Sequence, residues 1–194
     1  MQLERALSEI SEIHAQVLRS FVFRGYRALP MALTGLLALA AAALEPTLVG
    51  EAGAAAHASY WVGTCLIAVG LVGGDLCFLL ATGRTGPLRR TLPVLLQFAP
   101  VLLAGALLHL CLIGRAPELL PGLWGMVYGL GLFCLRPHLP RATGWVGLGF
   151  LAGGAALIAA AGPTPSPWGM GLLFGLGQAA FAVTLHVGIE RRRP

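Results

Sequence analysis

The sequence predicts an all-α fold, a polytopic transmembrane helical bundle of six spans with an N-terminal amphipathic cytoplasmic helix. Three observations carry that prediction. The chain of 194 residues is 57% hydrophobic and only 11% charged, with a mean hydropathy of +0.79, whereas a soluble domain carries roughly a quarter of charged residues. Several apolar stretches run for about 18 to 24 residues, enough to cross a hydrocarbon core of about 30 Å as helices. The basic residues fall almost entirely on one side of those stretches. Transmembrane strands would alternate apolar with polar residues over about 10 positions, and no such alternation occurs.

Two units follow, residues 1–27 and residues 28–194. In the first, "LERALSEISEIHAQVLRSFVF" sets Leu3, Leu7, Ile10, Ile13, Val17 and Phe21 on one stripe, with Glu4, Glu9, Glu12 and Arg19 largely off it. That spacing of three and four predicts an amphipathic helix, lying on the membrane surface, under the bundle, or against a partner helix. Its early glutamates and arginines do not fit a secretory signal.

The second unit holds the spans, at 28–44, 60–82, 93–113, 119–135, 144–161 and 168–189, joined by short connections. All 13 basic residues are arginines. Arg5, Arg19, Arg24 and Arg27 precede the first span, and Arg84, Arg89 and Arg90 follow the second. Arg136 and Arg141 separate the fourth and fifth, and Arg191, Arg192 and Arg193 follow the sixth. Arg115 alone lies on the other side, with Glu45, Glu51 and Glu118. By the positive-inside rule both termini are expected to be cytoplasmic. The net charge of +5 is then a matter of topology and anionic lipid rather than of nucleic acid.

Trp61, Trp124 and Trp168 open the second, fourth and sixth spans and are expected to form a belt at the outer interface. Glycines recur four residues apart at Gly70/Gly74, Gly125/Gly129, Gly149/Gly153 and Gly171/Gly175. Such faces let helix backbones approach, within one chain or between two copies. Cys65, Cys77, Cys111 and Cys134 lie inside spans without metal-ligand spacing and read as small fillers of helix contacts.

Asp75 is the exception within the apolar runs. With 1.5 Å of rise per residue, the cytoplasmic arginines serve as a depth ruler. Asp75 lies roughly 14 Å from that boundary, Tyr128 roughly 12 Å, and Gln97, Thr34 and Thr184 roughly 10 Å. Five spans thus bring a polar side chain to one depth. Gln178 is a secondary polar residue, and Pro100, one turn beyond Gln97, should loosen its helix and free a carbonyl. A carboxylate facing lipid costs several kcal/mol, so Asp75 should face inward, towards Gln97 or Tyr128. With no arginine or histidine expected at its level, it is either protonated glue between helices or a site for a proton, a cation or a small solute.

No catalytic constellation is present: no nucleophile elbow, phosphate loop, zinc-protease motif or paired acids. His109 and His186 fall roughly 20 Å apart in depth, too far to share one haem. The expectation is a protein that is not an enzyme and has neither metal nor cofactor.

The segments "FRGYRALP", "QFAPVLLAGALL", "LLPGLWGMVYGLGLF", "LPRATGWVGLGFLAGGAAL" and "SPWGMGLLFGLGQ" resemble a family of small, uncharacterised bacterial six-span integral membrane proteins. The resemblance covers most of the chain and includes an acidic residue at Asp75 and the Gln97 and Pro100 pattern. It implies no catalytic residues. Members encoded beside winged-helix regulators would place the family in a regulatory setting. Two functional readings follow. The first is a non-enzymatic regulatory, sensor or accessory subunit. It would meet a cytoplasmic partner, or a second copy, through residues 3–23 or the glycine faces. The second is a small transporter or channel centred on Asp75.

Overall fold

The structure, a computed structural model, describes residues 27–83, 88–163 and 165–191. The amphipathic segment expected over residues 3–23 lies outside the described residues. Within them the chain is helical throughout, with six α-helices at the six expected places. They are α1 (Ala28–Leu48), α2 (Ala54–Ala81), α3 (Leu88–Leu112), α4 (Leu120–Cys134), α5 (Thr143–Ala159) and α6 (Pro167–Leu185). One turn of π-helix, His186–Glu190, continues α6.

Local chemistry sets the boundaries. Pro46 lies in the last turn of α1, and the turn after it uses Gly50 and Gly53 at φ of 59° and 87°, a region that favours glycine. Gly83, at φ of 68°, ends α2 in the left-handed conformation of a helix C-terminus. Pro121 and Pro167 occupy the first turns of α4 and α6, where a missing N–H costs nothing. The helix α3 continues through Pro100.

Three helical segments are long and apolar enough to cross a membrane: Ala28–Leu48, Ala54–Ala81 and Pro167–Glu190. The others are shorter. At 1.5 Å per residue the 15 residues of α4 reach roughly 22 Å and the 17 of α5 roughly 26 Å.

Packing proceeds from neighbour to neighbour in the order α2, α1, α6, α5, α4, α3. Two seams dominate, and glycine builds both. Between α1 and α6, Gly35 lies against the Gly175 carbonyl, and Gly171 lies against Ala42 and Ala38. Between α4 and α5, a Cβ on Gly129 would sit 2.7 Å from the Gly147 carbonyl oxygen, and one on Gly154 would sit 2.6 Å from the Gly122 carbonyl oxygen. Backbones this close gain dispersion contacts that need no hydrophobic driving force. On α4, Gly131 receives Phe98 and Val101 of α3.

The larger core gathers Phe150, Phe181, Leu132 and Leu185 near the Arg27 end of the bundle. A smaller one, Ala38, Ala41, Ala42, Trp61 and Met170, lies near the α1–α2 turn. The middle of α2 has little cover. A Cβ on Gly63, Gly70, Gly73 or Gly74 would meet nothing within 4 Å.

Two side-chain expectations need correction. The four cysteines are exposed rather than buried between helices, because each falls on the outward side of its helix. Trp61 points inward and is buried, while Trp168 and Trp145 are exposed. The inward turn of Trp61 has a polar cause.

Candidate functional site

The single polar layer expected around Asp75 separates into distinct contacts. Arg27, the residue before α1, places Nη1 3.1 Å from Asp75 Oδ1, with side chains 40% and 19% exposed. The expectation of a carboxylate without a cation at its level is therefore corrected. By sequence Arg27 is a boundary charge, but its long side chain reaches Asp75 on α2. The amide of Gln178 donates to the Tyr128 hydroxyl at 2.9 Å, on the seam between α6 and α4. Around Tyr128 stand Phe150, Phe174 and Phe98, with ring centroids 4.8, 5.7 and 6.1 Å away.

The remaining members of the layer go elsewhere. The Thr34 and Thr184 hydroxyls each donate, at 2.8 Å, to a carbonyl three residues earlier in their own helices, Met31 and Phe181. Gln97 and Pro100 are exposed on the outer side of α3. Equal depth fixes a residue's height but not its bearing around the helix axis, and the bearings diverge.

At the Arg27 end, Glu190 completes a second contact. Its Oε1 accepts the Ala28 backbone N–H at 3.0 Å and its Oε2 takes His186 Nδ1 at 2.8 Å. A carboxylate there satisfies one orphan donor of α1 and lies at the positive end of its dipole.

A buried cluster of polar side chains lies at the opposite end. Glu45 is read from sequence as a charge beyond the first span, and His57 as a residue outside the spans. Instead α1 continues to Leu48 and α2 begins at Ala54, so that both side chains are carried on helix. His57 Nδ1 is bonded to Glu45 Oε1, and Trp61 Nε1 donates to Glu45 Oε2 at 2.8 Å. All three residues are 3% exposed. The Tyr60 hydroxyl adds a bond to the Ala41 carbonyl at 2.8 Å.

Helical spacing explains the arrangement. Ala54, His57, Ala58 and Trp61 recur at three and four residues and form one face, with the small alanines admitting α1. That spacing is the signal in the sequence, and it stays hidden while His57 is treated as loop. Each bond to the carboxylate is worth about 1.5 to 3 kcal/mol, and removing one partner of such a buried pair costs about 3 to 5 kcal/mol. His57 Nε2 is buried with no hydrogen-bond partner.

The helix α2 is thus fastened to the α1 side at both ends, through Glu45 at one and Arg27 at the other, with bare glycine backbone between. Among the described residues no group of three or more His, Cys, Asp or Glu is placed to hold a metal ion. No family model matches the chain, and neither a curated protein nor a solved structure does.

Proposed function

We propose that the chain is a non-enzymatic regulatory or accessory protein of a bacterial inner membrane, with six spans and both termini cytoplasmic. The observation that carries this reading is the state of α2. It is the longest of the three candidate spans, the most apolar at a mean hydropathy of 2.1, and the least covered by its own chain. Glycine in a helix interior costs up to about 1 kcal/mol relative to alanine. Among the described residues, four such glycines gain no contact at the position a Cβ would take. A transmembrane helix of a partner protein would use them, as it would use any small-residue face.

The pairing of Asp75 with Arg27 supports this reading over a transporter or channel centred on Asp75. That alternative began from an intramembrane carboxylate with no cation beside it. The arginine distribution supports the orientation, and the short helices α4 and α5 complete the six spans by packing against each other. Residues 3–23 provide a second contact, for a cytoplasmic partner.

Site-specific photocrosslinking in native membranes tests the reading. Probes at Val69 and Phe78, both exposed on α2, should give a discrete adduct with another membrane protein. A probe at Leu148, exposed on α5, should give none. Equal adducts from the two helices, or none from α2, would defeat the proposal.

A further inference from the structure

The Glu45–His57–Trp61 group is more than a fastening, because its titratable members are incompletely satisfied. Glu45 accepts from two helix-borne donors, His57 Nδ1 and Trp61 Nε1. The second imidazole nitrogen, Nε2, is buried and has no partner. With a proton on Nδ1 alone, the carboxylate and neutral imidazole carry one net negative charge out of water. With a second proton, taken from solvent onto the Nε2 lone pair, they form a carboxylate–imidazolium pair of zero net charge. A buried site tolerates the neutral pair far better than the uncompensated charge.

Other charged and titratable groups lie near this end of the bundle. Glu51 is exposed in the α1–α2 turn, and Glu118 lies on the short turn Pro117–Leu119 that packs against α2. From α3, His109 stacks on Trp124 with centroids 5.7 Å apart, and the Arg115 guanidinium bonds the Cys111 carbonyl. On α2 itself the Tyr60 hydroxyl is committed to Ala41. From α5 and α6, the neighbours are the apolar Leu157, Met170 and Phe174. Among the described residues the ion-pair partner of His57 is Glu45.

We propose that Glu45 and His57 form a proton-binding latch, in which one proton gained or lost at His57 Nε2 decides how firmly the Ala54 end of α2 is held against α1. The protonated pair is closed. Loss of the proton leaves a buried negative charge that water would stabilise, and α2, the least covered of the three candidate spans, is the helix that must move to admit it. Rising pH therefore opens the latch, and falling pH closes it.

The test uses the full chain in detergent micelles, where both faces meet the buffer, so it is independent of the assigned orientation. Trp124, Trp145 and Trp168 are replaced by Phe, leaving Trp61 as the reporter beside the pair. Titration from acid to alkaline pH should give a red shift of its emission and greater quenching by iodide, in one reversible transition. His57→Gln keeps a donor to Glu45 but cannot take up a proton, and it should remove the transition. Glu45→Gln removes the charge and should do the same, so that one folded variant suffices. A flat wild-type titration would overturn the proposal. So would an unchanged transition in a folded variant of either kind.

Discussion

Gly129 and Gly70 occupy the same sequence pattern and should respond in opposite ways to one methyl group. A Cβ at Gly129 would lie 2.7 Å from the Gly147 carbonyl oxygen, and 3.1 Å from both the Leu151 nitrogen and the Phe150 Cβ. None of these is the end of a flexible side chain, so α4 and α5 must separate. Overpacking of this kind costs about 1 to 3 kcal/mol. Against it stands a gain of up to about 1 kcal/mol from the better helix propensity of alanine. Gly129→Ala should therefore be net destabilising by about 1 to 2 kcal/mol. A Cβ at Gly70 meets nothing within 4 Å. Gly70→Ala should be neutral or stabilising by up to about 1 kcal/mol. The assay is loss of helical signal against the mole fraction of sodium dodecyl sulfate in mixed micelles, followed by far-ultraviolet circular dichroism. A neutral Gly129→Ala, or a Gly70→Ala that destabilises the monomer as much, would refute the assignment of seams to glycine pairs.

Four other outcomes are expected. A double-mutant cycle with Arg27→Gln and Asp75→Asn should give a coupling of about 1 kcal/mol or less, because the guanidinium is 40% exposed and solvent screens the pair; denaturation midpoints of the four proteins measure it. Tyr128→Phe removes the acceptor of the Gln178 amide and should cost about 1 kcal/mol. Thr34→Val removes a bond to the Met31 carbonyl of the same helix and should cost about 1 kcal/mol or less in the same assay. Reporter fusions after Arg90 and Pro194 should be active in the cytoplasm and one after Glu51 outside it, and the reverse pattern would invert the orientation.

The helices were legible because hydropathy integrates over whole segments, and a run such as Thr143–Ala159 leaves little choice but a helix. Their ends were less so. Hydropathy stops the first span before Glu45 and starts the second after His57, since each polar residue counts as water-exposed when read alone. Only the pairing across the α1–α2 turn removes that penalty and extends both helices. The same limit applies to Asp75. Its position was informative, but its partner is the side chain of Arg27, 48 positions earlier in sequence. A depth ruler built on backbone rise omits the several ångströms that an arginine side chain covers. Tyr128 and Gln178 are both visible in the sequence as polar residues within apolar runs, but the contact between α4 and α6 that joins them is a tertiary fact. Gln97, at a matching depth, turns away because the inward face of α3 presents Phe98 and Val101 to Gly131.

The unequal lengths of the helices have a consequence for the surrounding lipid. The 28 residues of α2 extend roughly 42 Å, while the 15 of α4 extend roughly 22 Å. Set in a bilayer with a hydrocarbon thickness of about 30 Å, as the proposed six-span arrangement requires, the first would lean or draw lipid up around it, and the second would thin the lipid beside it. One flank of the molecule then favours long acyl chains and another favours short ones. Each ångström of such mismatch costs a fraction of a kcal/mol, so acyl-chain length becomes a force on the tilt of α2.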